Sequence, residues 1–361
     1  MARRATLNWA LPSMLLALVA LALALPLIPR PTHIVPAVPP VTRAAHAAHN
    51  APVLRRVTIG MGYEPSVQFA PFYVAAQRGY YRQAGLDVTF SYANAPNLTE
   101  LAAAGNVDFA NTDGTEVIAA AARGIPITYI MSEYQRFPVA IFALTRSGIR
   151  SVADLRGRAI GVPGLYGSVY VGLLAALRAS GLTPNDVRIE AIGYTQVDSV
   201  ALGRVDAAVG YSVNEPVLLA RRGYPVVTLE VSRVANLVAP GVITGESFAA
   251  HQPTVVRAFV QATLRGLADT IRDPRMAFAA ARQVGGLTAL RNRAADDQYA
   301  VLLRAIDFWH SPNTRAHGLG YVDPAQWQSS RQVLRVIGQP IPTTLPPTLF
   351  TNTFAAGAAK L

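Results

Sequence analysis

YEPSVQFAPFYVAAQRGYYRQAGLDV, from Tyr63 to Val88, is the stretch whose reading decides the fold. A β-branched strand, Val57 to Gly60, runs into it, and Gly62 and Pro65 mark a turn. A helix then opens around Phe69, Pro71, Phe72 and Tyr73 and closes near Gly79. Such a strand-turn-helix unit directs backbone N–H groups and polar side chains outward at the C-terminal end of the strand, where open α/β sheets bind ligands. That edge carries Tyr63, Glu64, Gln68, Phe69 and Phe72. Aromatic faces beside single carboxylate and amide groups suit a flat ring with polar edges better than a charged chain or a metal.

Outward from this unit, short apolar strands alternate with helical stretches. Leu86 to Tyr92 reads as a strand, Leu98 to Ala104 as a helix, and Val107 to Ala110 as a strand ending at Asn111-Thr-Asp-Gly114. A helix through Glu116 to Ala122 and a strand from Ile127 to Met131 follow. Further on, strands are expected at Arg158 to Val162, Val187 to Ile192, Ala207 to Tyr211 and Val226 to Val231, and helices at Val169 to Ala179, Pro253 to Ile271 and Asp296 to Trp309. This alternation predicts mainly parallel sheets covered on both faces by helices. The pattern predicts two lobes: residues 55–146 open the first, 147–240 form the second, and 241–361 return to the first with C-terminal helices and a Pro-rich tail. Crossovers are expected near Leu144 to Ser151 and near Val238 to Gly245.

One unit occurs twice. VDFANTDGTEVIAAAARGIPITYI from Val107 and VDAAVGYSVNEPVLLARRGYPVVTL from Val205 share Val-Asp, small residues, a polar turn, Glu, an apolar helix, Arg-Gly, Pro and a β-branched strand. A duplicated unit, one per lobe, explains the match, although βαβ units of this size share much of that pattern anyway.

Composition sets the outer limits. With 361 residues, 51% hydrophobic and 15% charged, the chain can bury a core large enough for two lobes. The net charge of +11 does not signal nucleic acid, because the arginines are scattered singly or in pairs with no basic run interleaved with aromatics. Cysteine is absent, which excludes disulfides, thiolate nucleophiles, zinc-thiolate sites, iron-sulfur clusters and a lipoprotein anchor. Lys360 is the sole lysine.

The N-terminal segment is a targeting element. Arg3 and Arg4 precede an apolar run from Trp9 to Ile28, which fits a cleaved secretory signal or, equally, an uncleaved membrane anchor over residues 1–28. Either way the arginines place the body outside the cytoplasm. Residues 29–54, rich in proline, form a semi-extended tether in which His46 and His49 are read as solvated linker residues.

Candidate chemistry concentrates in polar turns at strand ends. Tyr63, Glu64 and Gln68 form the first; Thr112, Asp113 and Glu116 the second; Tyr134, Gln135 and Arg136 the third; Tyr211, Asn214 and Glu215 the fourth. In a two-lobed binder such ends face one cleft, while each residue taken singly also suits a helix cap, and Arg136 suits a pair with Glu133 or another acid. The glycine-rich turn Gly161-Val-Pro-Gly-Leu-Tyr-Gly-Ser168 opens a helix and offers Tyr166 and Ser168 to the cleft, or serves close helix-strand packing. It lacks the spacing of a dinucleotide fingerprint and the lysine of a P-loop. Gly167-Ser168 does not form a hydrolase elbow, and the six histidines share no metal spacing. Neither a metal nor a cofactor is expected.

The run PSVQFAPFYVAAQRGYYRQAGLDV, with a likeness extending to LFTNTF at Leu349 to Phe354, resembles the periplasmic solute-binding proteins related to the thiamine-pyrimidine-precursor binders, and within them the branch that serves bacterial riboflavin importers. The resemblance implies a two-lobed, type II-like periplasmic-binding-protein fold and a monomer that delivers its ligand to an ABC permease and ATPase. It implies riboflavin as ligand, stacked on Tyr63, Phe69, Phe72 or Tyr166 and met by Gln68, Asp113, Asn214 and Glu215; pyrimidine precursors or sulfonate-like anions are the alternatives. Fungal relatives of this fold are enzymes that build the thiamine pyrimidine with a lysine-bound cofactor and a cysteine-rich run, and this chain has neither a lysine in its body nor any cysteine. A sensory rather than a transport role stays open at this stage.

Overall fold

The computed structural model describes residues 53–92, 97–339 and 341–357; the expected targeting segment, the tether with His46 and His49, and Lys360 lie outside them. The strands are β1 (Arg55–Met61), β2 (Leu86–Tyr92), β3 (Phe109–Asp113), β4 (Ile127–Ser132), β5 (Val139–Leu144), β6 (Ala159–Val162), β7 (Arg188–Ala191), β8 (Ala207–Tyr211), β9 (Val226–Glu230) and β10 (Pro240–Gly245). They form two five-stranded sheets with the orders β2-β1-β3-β10-β4 and β7-β6-β8-β5-β9.

In each sheet four strands run one way and the fourth in spatial order runs against its neighbours: β10 is antiparallel to β3 and β4, and β5 to β8 and β9. The sheets are therefore mixed, with a parallel majority. The antiparallel strand in each is the one donated by the other lobe's chain, because β4 leads directly to β5 and β9 to β10. This corrects the expected crossover near Leu144 to Ser151. Residues 139–144 belong to the second sheet, so the first crossing lies between Ser132 and Val139 and the second between Glu230 and Pro240. The sequence VAIFAL is apolar at every position because β5 is buried on both faces, which hides the alternation that marks a half-exposed strand.

The two crossings hold one another. The N–H groups of Glu133 and Tyr134 donate to the Pro240 carbonyl at 3.2 and 3.0 Å, and the first crossing is also tied to the end of β8, where Ser212 N–H donates to Pro138 O at 2.7 Å. Helices cover both faces of the first sheet. On one, Ala70–Gln77, Pro253–Arg272 and Asn292–Trp309 enclose a core with Phe72, Phe109, Phe259 and Trp309; on the other, Gly114–Ala122 and Pro324–Val336 pack around Tyr129 and Trp327. Proline opens two of the C-terminal helices, Pro253–Arg272 and Pro324–Val336, at positions where its missing N–H has no intrahelical partner to lose. The tail straps onto the first lobe: Asn352 accepts from Val322 N–H at 2.8 Å and donates to its carbonyl at 2.9 Å, and Phe354 is buried. The second sheet is covered by Gly167–Ala179 on one face and by Gln196–Ala201 and Glu215–Arg221 on the other.

Candidate functional site

The C-terminal ends of β1, β3, β6 and β8 meet at a cavity of about 420 Å³ between the two sheets, within the range of roughly 300–1,000 Å³ usual for small-molecule sites. Twelve predicted residues line it: Tyr63, Gln68, Phe69, Thr112, Asp113, Glu116, Tyr134, Tyr166, Ser168, Tyr211, Asn214 and Glu215.

Three others do not. Phe72 sits one turn beyond Phe69 and is fully buried in the core of the first lobe. Glu64 is exposed outside the cavity. Gln135 ties the crossing to the C-terminal segment: its amide donates to Tyr321 O at 3.1 Å and its side-chain carbonyl accepts from Ser311 at 3.2 Å. Arg136 also points elsewhere, stacking over Phe308 at 4.1 Å and pairing with Glu230 at 3.7 Å, so the ion-pair reading holds with a different acid.

Asp113 is the centre of the arrangement. Its carboxylate, at the end of β3, accepts one hydrogen bond from Ser168 and one from the Tyr211 hydroxyl, both at 2.7 Å, so an acid of the first lobe clasps two hydroxyls of the second. Asp113 and Tyr211 occupy equivalent places in the duplicated unit, and the contact therefore joins the two copies at their matching turns. Burial raises the Asp113 carboxyl above its ordinary range, opposed by those two hydrogen bonds. Glu116 opens the following helix and accepts from Thr112 at 2.7 Å; burial, with Asp113 nearby, pushes it from 4.5 up to about 7.

In the second copy Glu215 folds back onto its own strand end, accepting from Tyr211 N–H at 2.8 Å and from the Asn214 amide at 3.3 Å. This fold-back needs Gly210, where a Cβ would fall 2.5 Å from Glu215 Oε2. Burial raises Glu215 as well. Behind the lining, Asn111 donates to Glu133 at 2.6 Å, and burial pushes Glu133 up to about 8.

The rings come from both lobes. Tyr134 donates to the Gln68 side-chain carbonyl at 3.2 Å and meets Tyr211 edge-on at 6.5 Å. At the mouth, Tyr63 of the first lobe meets Tyr194 of the second at 5.7 Å. Burial, with Glu215 and Glu64 nearby, raises the Tyr63 phenol to about 12, so it remains a neutral hydroxyl.

Sequence reading missed several lining residues, among them Tyr194, Thr99, Asn111, Arg123 and Gln196. Tyr194 follows β7 in a turn, so the strand-end rule that selected the other four turns also applies to it. Arg123 lies at the far end of its helix, where no local signal marks it. The glycine-rich turn reaches the cavity, while its first glycine packs against residues flanking the neighbouring strands rather than against a helix. A Cβ at Gly161 would lie 2.3 Å from the Ile192 side-chain tip, which would have to shift, whereas Tyr166 and Ser168 line the cavity.

The family described as NMT1/THI5 like matches residues 66–277. Among curated relatives, a protein of Chloroflexus aurantiacus named riboflavin-binding protein RibY is 40% identical over 332 residues, covering 91% of this chain and 93% of its own. A protein of Legionella pneumophila named 4-amino-5-hydroxymethyl-2-methylpyrimidine phosphate synthase is 27% identical over 234 residues, covering 62% of this chain and 72% of its own. Among solved structures, the alkanesulfonate-binding protein SsuA of Xanthomonas axonopodis superposes with a TM-score of 0.64 at 18% identity, over 82% of this chain and 98% of its own. The aliphatic sulphonate-binding protein SsuA of Escherichia coli gives 0.61 at 17%, over 80% and 95%. The fold is that of periplasmic binding proteins.

Proposed function

The chain belongs to the NMT1/THI5-like family, and from that premise we propose that it is the extracytoplasmic solute-binding component of an ABC importer, holding riboflavin between its lobes for a membrane permease. One observation carries the reading: a single cavity gathers rings from both lobes together with amide, hydroxyl and carboxyl groups whose partners are neutral. A tricyclic ring with a hydrogen-bonding edge and a polyol chain has use for such a lining. Stacking falls to Tyr63, Phe69, Tyr166 and Tyr194, and the polar edge to Gln68, Asn111, Asp113, Asn214 and Glu215. Lobe closure about the two crossings then gives the permease a liganded form to recognise.

The synthase relatives favour a second reading, a thiamine-pyrimidine precursor as ligand. Synthesis itself is disfavoured by the chain's chemistry, because a Schiff base needs a lysine and Lys360 stands at the extreme tail.

Fluorescence and absorbance titration of the purified protein with riboflavin, thiamine, a hydroxymethylpyrimidine and taurine tests the proposal. Quenching of flavin emission at micromolar protein, without response to the others, is expected. A response to the pyrimidine with none to riboflavin overturns it.

A further inference from the structure

The protein as a whole is strongly basic, at +11, yet the cavity is not. Among the described residues three carboxyl groups line it, Asp113, Glu116 and Glu215, against one guanidinium, Arg123. That guanidinium is committed already, bound to Glu100 at 2.8 Å. None of the three acids forms an ion pair among the described residues; Arg123 acts on Glu116 only as a minor, more distant attraction. Asp113 is held by the hydroxyls of Ser168 and Tyr211, Glu116 by Thr112, and Glu215 by a backbone N–H and the Asn214 amide. The amino end of the helix Gly167–Ala179 approaches Glu116, since a Cβ built at Gly167 would lie 3.4 Å from Glu116 Oε1, but a helix end supplies only about half a positive charge. A fourth acid, Glu133, stands behind Asn111 and has one oxygen with no hydrogen-bond partner. Residues 93–96, Ala-Asn-Ala-Pro, contain no ionisable side chain.

We propose that the cavity selects by charge, admitting an uncharged flavin and rejecting its phosphate ester and other anions, with Asp113, Glu116 and Glu215 as the residues that discriminate. This inference rests on the riboflavin reading and extends it to the exclusion of phosphorylated and sulfonated ligands. An anion entering here finds no free cation among the lining residues and loses its hydration beside three acids that are themselves buried. Net positive charge on the rest of the molecule draws anions to its surface, so rejection has to occur at the site. The acids can do this without harming a neutral ligand, for which they serve as hydrogen-bonding groups in either protonation state.

The test compares riboflavin and flavin mononucleotide, which share the ring and the polyol, by quenching of flavin emission in the full chain at pH 7.5. Glu116→Gln and Asp113→Asn are titrated in parallel. Expected are a dissociation constant for the phosphate ester at least about 30-fold above that of riboflavin, and a narrowing of this ratio of about threefold or more in either variant. A residue with a merely structural role would weaken both ligands together and leave the ratio unchanged. Equal affinity for the two flavins, or a ratio that neither variant moves, overturns charge selection while leaving the riboflavin reading standing. No binding of riboflavin overturns that reading, and the inference falls with it.

Discussion

Two cavity rings of the first lobe are held in its core, Phe69 at 6% and Tyr134 at 3% exposure, whereas in the second Tyr166 and Tyr194 stand 65% and 59% exposed; Tyr63 and Tyr211, one from each lobe, are half-buried. The topology of the two lobes is the same, strand for strand, so the difference lies in what surrounds the sheets. The C-terminal helices and the tail pack against the first lobe and fix its strand ends. Under the proposed function the first lobe is thus a preformed seat. The second supplies more exposed rings, of which Tyr194 meets Tyr63 edge-on, and under the proposed function their ordering is part of the cost of binding.

A smaller contrast follows the same line. Gly241 in β10 pairs with Thr112 and Ala140 in β5 pairs with Gly210, and these pairs are equivalent in the duplicated unit. The first lobe needs the glycine because a Cβ at 241 would fall 2.1 Å from the Tyr129 hydroxyl and 2.3 Å from the Met131 carbonyl. The second has no such obstruction at Ala140. The roles reverse at the acids: Thr112 gives its hydroxyl to Glu116, while Gly210 leaves the room into which Glu215 folds.

The sharpest way to break the seat-and-jaw contrast is to truncate one ring from each side. Phe69→Ala should destabilise the fold by about 3–5 kcal/mol in urea unfolding and also abolish tight binding, since that ring belongs to the core. An exposed-residue response at Phe69 would erase the distinction. Next in size is the pH effect of Glu116. Its folded value of about 7 lies above its ordinary 4.5, so its contribution is fully present below pH 4.5 and is lost as pH rises through about 7. Glu116→Gln should therefore be more stable than the parent above pH 7, by roughly 2–3 kcal/mol. Melting temperatures from pH 5 to 8 should fall less steeply in the variant, with Glu133 maintaining part of the slope.

Gly241→Ala should cost about 2–3 kcal/mol from overpacking against Tyr129 and the Met131 carbonyl. Its counterpart Ala140→Gly should cost about 1 kcal/mol, from chain entropy alone. Equal costs in chemical denaturation would mean that the two swapped strands are not differently packed. The smallest stability effect is expected at the jaw. Tyr194→Ala should leave unfolding within about 0.5 kcal/mol of the parent while lowering flavin affinity about tenfold.

Much of this architecture is legible in the chain. Leu86–Tyr92 and Ala207–Tyr211 carry their boundaries openly, because Gly85 ends one turn before the first and the polar Tyr211-Ser-Val-Asn turn closes the second. Polar turns at strand ends mark Asp113, Glu116, Tyr211 and Glu215, and the repeated Val-Asp unit runs into the two turns that carry them. The return to the first lobe at β10 was legible near Val238 to Gly245, but the placement of β5 in the second sheet was not: an apolar strand buried on both faces records nothing about which neighbours it pairs with. Phe69 and Phe72 show the limit at the site. Both are phenylalanines in one helical turn, and only the packing of Pro253–Arg272 and Asn292–Trp309 decides that the first reaches the cavity and the second the core.

A crystal structure of the protein grown with riboflavin tests the central claim most directly. The account predicts the ring system inside the cavity, one face against the first-lobe residues around Phe69 and the other against Tyr166 or Tyr194, with Asp113 between the lobes. A flavin seated on one lobe alone, or outside the cavity, would contradict it.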